Sequence, residues 1–172
     1  MLCGSGTKSG APMPLGRMLT AASALISAGL VFGQSAQPVP QLTLTYASLP
    51  ETGDSLFLIA RVELAPGWSI NSNQPLDSFL IPTRLEASSP GVVFGAPRYP
   101  EPVLENSVAV GGNLSLFHGR FEIRVPARFK PRTGPKAAKL TAPPTQVTLH
   151  YQSCNGQMCY PPKTVAAETG NR

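Results

Sequence analysis

Short apolar alternation, broken every few residues by turn formers, restricts this chain more than any other feature. Leu42, Leu44 and Tyr46 alternate with Thr43 and Thr45. Phe121, Ile123 and Val125 alternate with Arg120, Glu122 and Arg124, and Val147, Leu149 and Tyr151 with Thr148 and His150. Residues 56–64 begin as a continuous apolar run and then alternate. A period of two puts one set of side chains on a buried face and the other in solvent, which is the pattern of a half-buried strand. Shorter strands are predicted at 83–87, 91–94, 114–117 and 139–141. Turn residues stand between them, at 51–54, 65–67, 89–91, 111–113 and 132–135. With 16 glycines and 19 prolines in 172 residues, a helical bundle is excluded, because both residues are poor in helix interiors. The expectation is an all-β chain, an antiparallel β-sandwich of about eight short strands. Pro126 is predicted to close the strand that starts at Phe121, and residues 37–41 and 165–172 to be frayed ends.

The first 36 residues differ from the rest. They contain no acid, Lys8 and Arg17 are their only charges, and residues 18–32 are apolar or small throughout. Gly33, Gln34, Ser35 and Ala36 follow as a small-residue patch. This is the order of a secretory signal peptide. Its apolar run falls short of the ~20 residues of a membrane span. Residues 1–36 are therefore read as a signal peptide, starting at Met1, Met13 or Met18, with an uncleaved N-terminal anchor as the alternative, and 37–172 as one exported domain. Cys3 belongs to the leader. Without Lys8 and Arg17 the net charge falls from +5 to +3 (5 − 2). The remaining excess is local: Arg120, Arg124, Arg128, Lys130, Arg132, Lys136 and Lys139. A nucleic-acid groove interleaves such charges with exposed aromatics. Phe121 and Phe129 alone are near, and Phe121 alternates inward, so a solvated strand face is expected and no nucleic-acid partner.

The chemistry concentrates at residues 151–162, Tyr-Gln-Ser-Cys-Asn-Gly-Gln-Met-Cys-Tyr-Pro-Pro. Cys154 and Cys159 are the only cysteines after the leader, and they bracket Asn155-Gly156, a tight-turn dipeptide. They fall within disulfide reach, and export favours their oxidation. Three readings stand. A structural bridge would close a very short loop, worth only about 2 kcal/mol in chain entropy. A bridge at an exposed turn also suits thiol–disulfide exchange. Cys154, Met158 and Cys159, with His150 near, are soft ligands that suit Cu(I), although no second cysteine or histidine cluster completes a metal site. Nucleophile-elbow, phosphate-loop and zinc-protease motifs are absent, and no cofactor is implied. His118 reads as a strand-end residue and His150 as outward-facing.

The motif Tyr151-Gln-x-Cys…Cys-Tyr-Pro-Pro162 resembles the N-terminal periplasmic domain of the thiol:disulfide interchange protein DsbD. Upstream blocks follow the same order: Gly67-Trp-Ser-Ile-Asn-Ser-Asn73, Leu80-Ile-Pro-Thr-Arg-Leu85, Tyr99-Pro-Glu-Pro102 and Leu114-Ser-Leu-Phe-His-Gly119. The resemblance spans about residues 40–165 and implies an immunoglobulin-like fold. It implies a periplasmic dithiol, re-reduced by a thioredoxin-like donor, that passes electrons to disulfide-bonded acceptors such as disulfide isomerases or cytochrome c maturation proteins. It assigns attack to Cys159 and resolution to Cys154. It further implies a cap loop over the pair, for which the proline-rich stretch Tyr99–Glu105, with Tyr99, Pro100, Glu101 and Pro102, is the candidate, with Trp68, Tyr151 and Tyr160 as site wall. Two departures stand out. Full-length members continue into membrane-spanning and thioredoxin-like domains, so a chain ending at Arg172 would need a separate membrane electron carrier. Four residues separate the cysteines, fewer than in the best-known members.

Overall fold

The computed structural model describes residues 37–48, 56–108, 110–130 and 143–169. The leader, the turns at 51–54 and 132–135 and the strand expected at 139–141 lie outside them. The described residues form eleven strands and no helix: β1 (Gln41–Ser48), β2 (Leu56–Glu63), β3 (Ser69–Asn71), β4 (Arg84–Ser88), β5 (Val92–Phe94), β6 (Val103–Ser107), β7 (Gly112–His118), β8 (Arg120–Phe129), β9 (Gln146–Tyr151), β10 (Ser153–Cys154) and β11 (Lys163–Glu168). All pairings are antiparallel. One sheet has the order β1-β2-β8-β5. Across the core from it stand two more sheets, the three-stranded β11-β9-β4 and the four-stranded β10-β3-β7-β6. This is the antiparallel β-sandwich that the alternation predicts, of the immunoglobulin-like kind that the resemblance implies.

The alternating residues meet where the layers face each other. Leu58, Ala60 and Val62 of β2 and Ile123 and Val125 of β8 pack with Val147, Leu149 and Tyr151 of β9, Ile70 of β3, Leu85 of β4 and Phe117 of β7. Burying a side chain of this kind contributes roughly 1.5–3 kcal/mol, so this shared core is what joins the layers. Phe121 packs against its edge, as its alternation implies. The outer face of the β2–β8 pair carries charge in register. Arg120 grips Glu63 with both contacts at 2.9 Å, and Arg61 meets Glu122 at 2.9 Å. The basic stretch is, over its described part, a strand face with its own carboxylates.

Several local expectations are corrected. Pro126 does not end β8, which runs on to Phe129. β5 pairs with β8 up to Phe94↔Ala127, and pairing resumes at Arg98↔Arg124, with one extra residue on the first strand. The proline, which has no N–H, falls inside that bulge, where its carbonyl still accepts from Gly95 N at 2.8 Å. Gly95 permits the approach: a Cβ there would lie 3.2 Å from Pro126 Cβ. Residues 165–168 are not frayed but belong to β11, paired with β9 from Lys163↔Tyr151 to Glu168↔Gln146. At the other end Gln41 already belongs to β1, and Gln37 and Pro40 are buried, with Gln37 Nε2 donating to Ser153 Oγ. The proline-rich stretch passes into β6 at Val103.

Three tyrosines seal the sandwich, and burial raises the pKa of Tyr46, Tyr99 and Tyr151 above the ordinary 10.0. The folded state then holds phenolic protons that the unfolded chain releases, so stability present below pH ~10 is lost as pH rises beyond it. Denaturant unfolding at pH ~8 and pH ~10.5 is expected to show a lower midpoint at the higher pH, and Tyr151→Phe to reduce the difference. An equal loss in that variant would contradict this assignment.

Candidate functional site

The site begins with two rungs of β-pairing. Ser153 opposes Ile70 and Cys154 opposes Ser69, which lays β10 along β3. The chain then turns. Asn155 Oδ1 accepts from the N–H of Gln157 and of Met158, both at 3.1 Å, and Asn155 N donates to Met158 O at 3.1 Å. Gly156 sits at φ 82°, a left-handed conformation that glycine adopts without a Cβ penalty. The Asn-Gly pair thus folds the chain back. Tyr160 N reaches Ser153 O at 2.8 Å, and Cys159 comes opposite Cys154. The two cysteines are disulfide-bonded, with their Cα atoms 4.0 Å apart.

The bridge is asymmetric. Cys154 is 2% exposed, while Cys159, beyond the turn, is half-buried. Cys159 packs with Val110 against a small apolar cluster of Leu80, Leu114 and Leu116, separate from the main core. A small cavity of about 50 Å³ beside the sulfurs is lined by both cysteines, Leu114, Leu116, Met158 and the end of β6. Next to it runs a groove of about 450 Å³, lined by Trp68, Glu105, His118, Asn155 and Gly156 among others. Glu105 touches both depressions, and His118 Nε2 lies 3.2 Å from its Oε1.

The expected wall residues divide. Trp68 lines the groove and meets the Tyr160 ring at 5.0 Å between centroids, and the Tyr160 hydroxyl accepts from Asn155 Nδ2 at 3.0 Å. Tyr151, by contrast, is 0% exposed and part of the main core. Tyr99 also turns to that core. It stacks on Phe117 at 6.2 Å, and its hydroxyl accepts from Leu85 N at 3.0 Å. Pro100, Glu101 and Pro102 lead from it into β6. Of residues 99–105, it is Glu105 that lines the depressions at the disulfide. The apolar contact shared with Cys159 comes from farther on, at Val110 in the β6–β7 turn. A lone valine beside two glycines carries little sequence signal. His150 pairs loosely with Glu86 at 3.7 Å on β9 and β4. Among the described residues no three His, Cys, Asp or Glu side chains gather as a metal site.

The chain is 17% identical to the N-terminal domain of DsbD from Neisseria meningitidis, solved in the reduced form, with a TM-score of 0.47. The match covers 77% of this chain and 84% of that one. It is 11% identical to the N-terminal periplasmic domain of ScsB from Proteus mirabilis, with a TM-score of 0.43, covering 72% of this chain and 49% of that one. No curated protein matches the chain. Residues 35–171 match the family described as thiol:disulfide interchange protein DsbD, N-terminal. That match takes in more than half of the chain, including Cys154 and Cys159, and the chain therefore belongs to the DsbD N-terminal domain family.

Proposed function

We propose that this protein is an exported thiol–disulfide exchange module whose working group is the Cys154–Cys159 pair. The observation that carries the reading is the placing of a short-loop disulfide, with one buried and one half-buried cysteine, beside a small cavity that shares Ser69, Glu105 and Gly156 with the adjoining groove. The sandwich has a substantial core of its own, and a loop this short adds only about 2 kcal/mol of chain entropy. Accessibility on one side is what exchange requires, because the attacking thiolate must approach along the S–S axis.

Roles follow from the asymmetry. Cys159, the more exposed of the two, attacks the partner's disulfide, and Cys154, held in β10, resolves the mixed disulfide. No basic side chain adjoins Cys159 in sequence, so the docked partner completes the environment that activates its thiol. The groove beside it, with the Trp68–Tyr160 ring pair and the Glu105 carboxylate, suits a protein surface with an exposed apolar rim. Family membership supports a thioredoxin-like electron donor, disulfide-bonded acceptors and a periplasmic location, with a membrane electron carrier upstream. A Cu(I) role for Cys154, Met158 and Cys159 is the competing reading. Copper binding to the reduced protein with loss of exchange would favour it.

Single-cysteine variants test the roles. On a Cys3→Ala background, mixed with a thioredoxin that lacks its resolving cysteine and carries the other as a mixed disulfide with a small aromatic thiol, reduced Cys154→Ser is expected to release the small thiol and trap a stable mixed disulfide through Cys159. Cys159→Ser is expected to trap about tenfold less. The reverse pattern contradicts the roles, and no trapping by either contradicts exchange. Export is tested separately. Mass spectrometry of the exported protein is expected to show an N-terminus near Ala36, and retention of residues 18–32 would contradict a cleaved leader.

A further inference from the structure

A fully buried amide points its oxygen at one sulfur of the pair. Asn71, in β3, is 0% exposed. Its Nδ2 donates to the Ile81 carbonyl at 3.2 Å and to Gln152 Oε1 at 2.8 Å. Those two acceptors use both amide protons, and a flipped amide would set oxygen against two oxygens. Gln152 is fixed in turn. Its Oε1 also accepts from Ile81 N at 2.9 Å, and its Nε2 donates to Tyr160 O at 3.1 Å. The network leaves Asn71 Oδ1 facing Cys154 Sγ at 3.9 Å. In the disulfide that sulfur carries no hydrogen; on reduction it does.

We propose that Asn71 is a positioning residue of the reduced state, whose Oδ1 accepts the Cys154 S–H and keeps Cys154 a thiol while Cys159 ionises and attacks. The inference rests on the exchange reading of the pair. In the first step the Cys159 thiolate bonds to one sulfur of a disulfide-bonded partner. The partner's S–S bond breaks, and its other sulfur leaves as a thiolate that takes a proton from water. In the second step Cys154 gives its proton to solvent and attacks Cys159 Sγ. The intramolecular disulfide forms, the bond to the partner breaks, and the partner's second sulfur leaves as a thiolate. Two electrons pass from the pair to the partner. A carbonyl oxygen beside Cys154 stabilises the thiol and repels the thiolate, so it acts on the second step alone. The Cys154 proton then governs how long the mixed disulfide lives.

Other groups around Cys154 do not depend on residue 71. Among the described residues, the carboxylate lining the cavity is Glu105 of β6, with His118 of β7 in contact with it. The turn brings the Tyr160 phenol, which is bonded to Asn155. β3 and the remaining β7 lining, Ser69, Leu114 and Leu116, bring no titratable side chain.

The test uses chains with Cys3→Ala and Cys159→Ser, in which Cys154 is the one thiol. The pH dependence of its alkylation by iodoacetamide is compared with and without Asn71→Ala. Loss of the acceptor is expected to move the midpoint to lower pH, raising the rate at pH ~7 about three- to tenfold. Altered access alone would change the high-pH plateau and not the midpoint, so an unmoved midpoint overturns the proposal. Should Asn71→Ala fail to fold, infrared spectroscopy of the chain that retains Asn71 decides. A Cys154 S–H stretch below that of a free thiol is expected, and a free-thiol frequency overturns the assignment. Trapping by Cys154→Ser decides the exchange reading on its own, so either idea can fail alone.

Discussion

Two rungs of antiparallel pairing, Ser153 with Ile70 and Cys154 with Ser69, fix where the disulfide lies. β10 is too short to hold itself. It is held because β9 runs into it across Gln152, whose carbonyl accepts from Asn71 N at 3.0 Å, and because β9 is anchored by Val147, Leu149 and Tyr151 in the core. The main core therefore determines the position of Cys154. Cys159 depends on a different, weaker element, the Asn155-Gly156 turn. One cysteine is attached to the rigid sandwich and the other to a reversal at its surface.

In the proposed exchange, that division sets which sulfur reacts first. A symmetrical bridge between two core strands would offer neither sulfur to a partner. Here the sulfur of the buried residue is backed by β3 and the Asn71 amide, while Cys159 sits against the minor cluster of Leu80, Leu114 and Leu116. Neither cysteine belongs to the main core cluster. A reduced form with the same sandwich is the natural consequence, and a carrier that cycles between two redox states requires it.

The sequence made the sheets legible wherever apolar alternation was strong, in β1, β2, β8 and β9. It concealed strands held mainly by their neighbours. In β11 the inward Val165 and Ala167 are separated by a third apolar residue, Ala166, which hides the alternation, and β6 is an edge strand with Val103, Leu104, Glu105 and Asn106 all exposed. Pro126 misled because its missing donor is harmless only inside a bulge that tertiary pairing creates. At the site, the cysteines and their turn were legible from Cys154, Asn155, Gly156 and Cys159. Asn71, Gln152 and Val110 were not, because their relation to the sulfurs exists only after β3, β9 and the β6–β7 turn have come together. Tyr99 and Tyr151 sat in the motif blocks for packing reasons, as their places in the core show.

The central claim is that the Cys154–Cys159 bridge is exchanged in use and is not a permanent strut. The most direct measurement is its equilibrium with glutathione or thioredoxin at defined ratios, read by alkylating the free thiols. The account predicts that both redox forms are populated at buffer potentials above about −300 mV, with the sandwich intact in each. A bridge that stays oxidised below about −300 mV, or whose reduction unfolds the domain, would contradict it.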